Sequence, residues 1–169
     1  MSTVGVVQAF ASNYAQARAR FLEAAATAGL PVQSHPHPLP GSEGEALALD
    51  VARDGPLDAD KLLIVSSACY GVEGFCGSGV QVYALHDQEW RAAAHAQGVA
   101  VLYLHALNPY GFSHLRRVTH ENVDLNRNFQ DFGQPLPVNT DYAAIAHLVI
   151  PDAWPPGAAN QAAVQQYLA

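Results

Sequence analysis

The chain has 169 residues, half of them apolar and 14% charged, which is enough for one domain with a sizeable core and too apolar for disorder. Its formal net charge is −7 with only eight Lys plus Arg, which excludes nucleic acid as a partner, because phosphate neutralisation needs clustered basic side chains. No segment reaches about 18 consecutive apolar residues, Met1 to Phe10 lacks a basic n-region, and two cysteines, Cys69 and Cys76, make no disulfide framework. The expectation is a protein with no membrane partner in a reducing, cytoplasmic setting.

Ser12 to Gly29 reads as a helix, with Ser12 as its cap, apolar positions at helical spacing and Gly29-Leu30-Pro31 as its stop. Val32 to His37 reads as a short extended segment running into the turn-rich His35-Pro36-His37-Pro38-Leu39-Pro40-Gly41. Prolines between those histidines hold them apart, so a loop is expected there rather than a metal site. Ala46 to Arg53 suits a strand, and the apolar run Lys61 to Ser67 predicts a buried central strand. Gly77 to Ala96 predicts one helix, with Val80, Tyr83, Ala84 and Trp90 facing the core, ended by Gly98.

Val99 to Leu107 predicts a second buried strand, and Asn108-Pro109-Tyr110-Gly111 a turn. A helix capped by Thr140 or Asp141 should run to about Val149, and another from Ala158 to Leu168. Strands alternating with helices predict an α/β fold, a three-layer sandwich with a mixed, largely parallel sheet, in a single domain over 1–169.

Ligand sites of open α/β sheets lie beyond the carboxyl ends of the strands. Two loops occupy that place, Cys69 to Gly79 and Asn108 to Phe129. The glycines 71, 74, 77 and 79 lack the lysine of a Walker loop and the order of a dinucleotide fingerprint. Ser66, Ser67 and Ser78 lack a Gly-x-Ser-x-Gly elbow. Glu73 stands alone in an otherwise uncharged segment, either as a ligand or as a cap for the helix that follows. Asn126 and Arg127 lie in a polar turn that suits a binding site or an Asx-type loop equally.

With these residues the chain resembles the amino-terminal half of an M14-type zinc carboxypeptidase, and more narrowly the DUF2817 family. The landmarks are Gly71-Val72-Glu73-Gly74-Phe75, Ala106 to Phe112, Leu115-Arg116-Arg117, Asn122 to Phe129 and Trp154-Pro155-Pro156, in family order over essentially the whole chain. The resemblance implies a zinc site whose His-x-x-Glu motif falls on Tyr70 and Glu73, with tyrosine in place of histidine. It implies that Asn126 and Arg127 grip a substrate carboxylate and that Arg117, nine residues before Asn126, polarises the scissile carbonyl, with Arg116 its neighbour.

The family's distal histidine and general-base glutamate fall past residue 169. Tyr70 is a poor ligand because a phenol ionises near pH 10. Zinc is therefore expected to bind weakly or not at all. Cys69, His105, His114 and His120 are the candidate substitutes, with His105 read as a core residue, His114 and His120 as solvated loop residues, and Cys69 as facing away.

Two functions follow. One is a truncated or degenerate metallocarboxypeptidase, inactive as this chain alone. The other is a non-catalytic module that binds peptides or other carboxylate ligands through Arg117, Asn126 and Arg127. Half of such a sheet would leave strand edges bare, so self-association is also expected.

Overall fold

A computed structural model describes residues 5–169, so the reading of Met1 to Phe10 lies partly outside the described residues. The chain divides into two compact units, one ending at Phe129 and the other spanning Gln130–Ala169.

In the first unit a short helix α1 (Val6–Ala9) precedes α2 (Tyr14–Thr27). The α2 cap is Asn13, whose side chain accepts from the Gln16 backbone N–H at 2.9 Å; Ser12, the expected cap, instead donates its own N–H to the Gln16 side chain. Asparagine wins because it stands one residue nearer the first turn and is as good a cap as serine. Gly29 ends the helix at φ 72°, a left-handed position that suits glycine.

The sheet has four strands, β1 (Val32–Pro36), β2 (Ala48–Asp54), β3 (Lys61–Ser66) and β4 (Val99–His105), in the order β1-β2-β4-β3. The fold is α/β and the sheet is mixed, as the sequence predicts, but its parallel share is smaller than expected. β3 and β4 run parallel, while β1–β2 and β2–β4 are antiparallel. The single parallel pair is the one whose strands are joined by helices, α3 (Gly74–His86) and α4 (Gln88–Ala96).

β4 is the buried central strand, with Val101, Tyr103 and His105 turned onto Phe21, Ala24 and Ala25 of α2 and Val82 and Leu85 of α3. β3 is not central. It forms the sheet edge, and five of its six residues are exposed. The expected helix over 77–96 is two helices, broken at Asp87, which leaves helical geometry (ψ 93°) and caps α4 through the Trp90 N–H at 2.9 Å. Within α3 the buried face carries Val82 and Leu85, while the predicted contacts Val80 and Tyr83 face outward; Ala84 and Trp90 pack against the core as expected.

Two aspartates occupy core-facing positions of β2. Asp50 accepts from Arg18 Nε at 2.7 Å and Nη2 at 3.1 Å and from the Ser34 hydroxyl. Asp54 accepts from Arg91 Nε at 2.6 Å and lies 2.9 Å from His95 Nε2. Arginines that look isolated in sequence thus neutralise the buried carboxylates of β2.

His105 is fully buried, stacked 4.5 Å from Phe21, with Nε2 hydrogen-bonded to the Ser78 hydroxyl at 2.9 Å. Burial pushes its pKa down to about 4 from an ordinary value of 6.5. The unfolded chain therefore binds the proton first. This contribution is complete above pH 6.5 and is lost as pH falls from 6.5 toward 4. The shift corresponds to about 3 kcal/mol. Urea midpoints followed from pH 7 to pH 4.5 should fall steadily, and an unchanged midpoint would show that His105 is not held neutral.

In the second unit α6 (Thr140–Val149) is capped by Asn139, one residue before the expected cap, and α7 (Ala158–Leu168) has its expected bounds. Asn160 of α7 donates to the Leu148 carbonyl at 3.1 Å and ties the two helices. No helix among the described residues is long and apolar enough to cross a membrane.

Candidate functional site

The loops leaving β3 and β4 are zipped together at the carboxyl end of the parallel pair. Leu107 N–H donates to the Ser67 carbonyl at 3.0 Å and Asn108 N–H to the Ala68 carbonyl at 2.9 Å. Farther out, Gly71 N–H donates to the Arg116 carbonyl at 3.0 Å and Arg116 N–H to the Gly111 carbonyl at 2.8 Å. Where the sequence predicts a turn, a one-turn helix α5 (Pro109–Ser113) forms, because Asn108 accepts from the Gly111 N–H and Pro109 suits a first helical turn.

All four non-glycine residues with positive φ among the described residues lie in these loops: Ala68 at 53°, Ala106 at 63°, Leu115 at 53° and Asn122 at 64°. Left-handed alanine and leucine cost about 1–2 kcal/mol each. Such strain persists where surrounding contacts over-determine the backbone, which is common at functional sites. Nothing in the sequence signals it.

The serines near this end are structural. Ser67 Oγ donates to Gln81 Oε1 at 2.9 Å and accepts from the Ala106 N–H, while Gln81 donates to the Val65 and Leu104 carbonyls. Ser78 is buried against His105, out of reach of a substrate.

At the rim, Tyr70 and Arg117 form one unit. Arg117 Nη2 donates to the Tyr70 hydroxyl at 3.0 Å, and its guanidinium carbon lies 4.2 Å from the tyrosine ring centroid. Arg117 Nε donates to Asp124 Oδ2 at 2.8 Å. Asp124 Oδ1 accepts from the Asn126 N–H at 3.0 Å and so starts the 3₁₀ turn Leu125–Arg127. The guanidinium of Arg117 holds the Asp124 carboxyl below the usual carboxylate range. Hydrogen bonds thus link Tyr70, Arg117, Asp124 and Asn126.

Glu73 stands at the start of α3, exposed, and its side chain does not cap the helix. Arg127 is exposed and makes no ion pair or side-chain hydrogen bond among the described residues. Arg116 donates to Asn122 Oδ1 at 3.1 Å, which distinguishes it from Arg117. Burial raises the Cys69 thiol, against a thiolate at neutral pH.

The histidines do not supply a zinc site here. His105 belongs to the core, while His114 stacks on Tyr110 with ring centroids 4.1 Å apart. His120 lies 5.0 Å from His37 and 5.8 Å from Tyr110, a cluster that the spacing of these residues does not announce. Among the described residues no three His, Cys, Asp or Glu side chains gather as a metal site. The Tyr70 phenol, where the sequence resemblance expects a histidine, is engaged by the Arg117 guanidinium, whose charge opposes a second cation beside it. Among the described residues, Tyr70 and Glu73 as placed do not fit zinc.

Residues 10–169 match the family described as "Protein of unknown function (DUF2817)". The chain belongs to the DUF2817 family. No curated protein matches it in sequence. Among solved structures, this DUF2817 chain is similar to glutaminyl cyclase of Tannerella forsythia, with 11% identity and a TM-score of 0.39 over 75% of this chain and 44% of that one. Glutaminyl cyclase of Porphyromonas gingivalis gives 11% identity and a TM-score of 0.34 over 66% and 48%. Esterase LipW of Mycobacterium marinum gives 13% and 0.29 over 62% and 31%. The chain thus spans less than half the length of each. At these TM-scores the likeness assigns no activity.

Proposed function

We infer that this DUF2817 chain descends from an M14-type zinc carboxypeptidase and binds carboxylate-bearing ligands, such as peptide C-termini, without hydrolysing them. The observation that carries this reading is the Arg117 guanidinium held between Tyr70 and Asp124, at the place where the family resemblance puts the first zinc ligand. A fixed cation there suits an anionic ligand and disfavours a metal. Arg127, exposed one residue past Asn126, offers a planar fork to a carboxylate. Arg117 has two donors committed internally, so its role is to orient the loop and add positive potential rather than to polarise a carbonyl.

Calorimetric titration with an acetylated peptide bearing a free C-terminus, beside the same peptide amidated, tests this. The free acid should bind, and the amide and the Arg127→Ala variant should each bind about 10–100-fold more weakly, the worth of one charge-assisted hydrogen-bonded pair. Equal binding of acid and amide, or none of either, would overturn the carboxylate reading. Stoichiometric zinc in the purified protein together with hydrolysis of the peptide would overturn the non-catalytic one.

A further inference from the structure

Among the described residues three arginines pair with an aspartate through the same edge of the guanidinium, and one of them does so differently. Arg18 gives Nε and Nη2 to the two oxygens of Asp50 at 2.7 and 3.1 Å, and Arg91 gives the same two donors to Asp54 at 2.6 and 3.2 Å. Each fork is closed by one carboxylate, the strong two-bond arrangement. At Arg117 the fork is split. Nε donates to Asp124 Oδ2 at 2.8 Å, but Nη2 donates to the Tyr70 hydroxyl at 3.0 Å. The second Asp124 oxygen accepts instead from the Asn126 N–H at 3.0 Å. Asp124 therefore holds Arg117 by one bond, where Asp50 and Asp54 hold their arginines by two. Among the described residues the Arg117 side chain is also 55% exposed, against 23% and 16% for Arg18 and Arg91. An exposed pair held by one bond is the easiest of the three to exchange.

We propose that Asp124 is a self-inhibitory occupant of the carboxylate site: a ligand carboxylate replaces it on Arg117 Nε, while the Tyr70 hydroxyl keeps Nη2 and prevents Asp124 from closing the fork. This rests on the carboxylate-binding reading and adds the regulation of that site. Asp124 and a peptide C-terminus carry the same functional group, so they compete for the same donor. In the free chain Arg117 orients the loop and Asp124 offsets its charge. In the liganded chain that charge serves the ligand, and Asp124 keeps the Asn126 N–H that anchors it. Tyr70 sets the balance. A carboxylate oxygen has two lone pairs, so without the hydroxyl Asp124 Oδ1 can accept from Nη2 as well as from Asn126. The pair then closes as the two buried ones do, and a ligand must displace two hydrogen bonds rather than one.

Calorimetric titration of the full chain with the acetylated free-acid peptide tests this through a double-variant cycle. Asp124→Asn keeps the Oδ1 acceptor for the Asn126 N–H but loses the charge, and should bind the free acid about threefold more tightly, a factor typical of one exposed ion pair. Loss of a negative charge tightens anion binding by itself, so Tyr70 decides the matter. Tyr70→Phe alone should bind more weakly than the wild type, because Asp124 closes on Arg117. Tyr70→Phe combined with Asp124→Asn should bind as tightly as Asp124→Asn, because no carboxylate is left to close the fork. A tyrosine that only orients Arg117 would weaken binding equally in both backgrounds. Binding unchanged or weaker in Asp124→Asn, no loss from Tyr70→Phe, or an equal loss with and without Asp124 would each overturn the proposal and leave the carboxylate reading intact. No binding by any of these proteins would overturn both.

Discussion

Arg18→Ala should destabilise the protein more than Asp50→Ala, although both remove the same ion pair. Asp50 is 0% exposed on β2 and receives Arg18 Nε and Nη2, while the Arg18 side chain keeps 23% of its surface in solvent. Breaking a buried pair costs about 3–5 kcal/mol, because the surviving partner is left as an uncompensated charge. After Asp50→Ala the survivor is Arg18, which has a path to water, so the loss should lie near 3 kcal/mol. After Arg18→Ala the survivor is Asp50, which among the described residues keeps only the side-chain hydrogen bond from the Ser34 hydroxyl, and the loss should lie nearer 5 kcal/mol. For a chain of this length these values mean melting temperatures lower by roughly 6–12 °C and 10–20 °C. Thermal melts of the two variants decide it. If Asp50→Ala were the worse, Asp50 would be tolerating burial by some means other than Arg18.

The same pair shows what the sequence could and could not disclose. Alternation along 46–53 is imperfect because the core-facing position 50 is an aspartate, as is position 54 just beyond, and their partners Arg18 and Arg91 lie 32 and 37 residues away. No local pattern announces a contact at that distance. The apolar run of β3 has the opposite difficulty. A strand buried on both faces and an apolar edge strand have the same composition, so Lys61 to Ser67 reads as central although the structure puts it at the edge. The helix over 77–96 was legible as helix, but the cap at Asp87 was not, since its effect depends on the ψ it adopts.

At the candidate site, the landmarks fall on loops that the structure zips together at the carboxyl end of the parallel pair. They could not disclose that Tyr70, Arg117 and Asp124 bond to one another, because a motif fixes positions along the chain and not which donors are already taken. The left-handed Ala68 and Ala106 were likewise invisible, as alanine carries no sequence mark of such a backbone.

Gly71→Ala should disconnect that site while leaving the sheet in place. A Cβ on Gly71 would run into the Gly111 carbonyl oxygen and lie 2.6 and 2.7 Å from Arg116 N and O, all backbone atoms that cannot swing aside. The chain must separate there, and with it go the Gly71–Arg116 and Arg116–Gly111 hydrogen bonds. Overpacking of this kind together with the loss of these two backbone hydrogen bonds costs about 3 kcal/mol. The functional consequence should be larger than the stability loss implies. Gly71 is bonded to Tyr70 and Arg116 is bonded to Arg117, so parting the two loops pulls the phenol from the guanidinium that it holds. Arg117 would remain with Asp124 but without the tyrosine that orients it. Peptide titration of folded Gly71→Ala should therefore show weaker binding of the free acid, whereas Gly29→Ala, strained at φ 72° but with nothing within 4 Å of its added Cβ, should lower stability and leave binding alone. Equal binding by both variants would mean that the Tyr70–Arg117 contact does not contribute to the site.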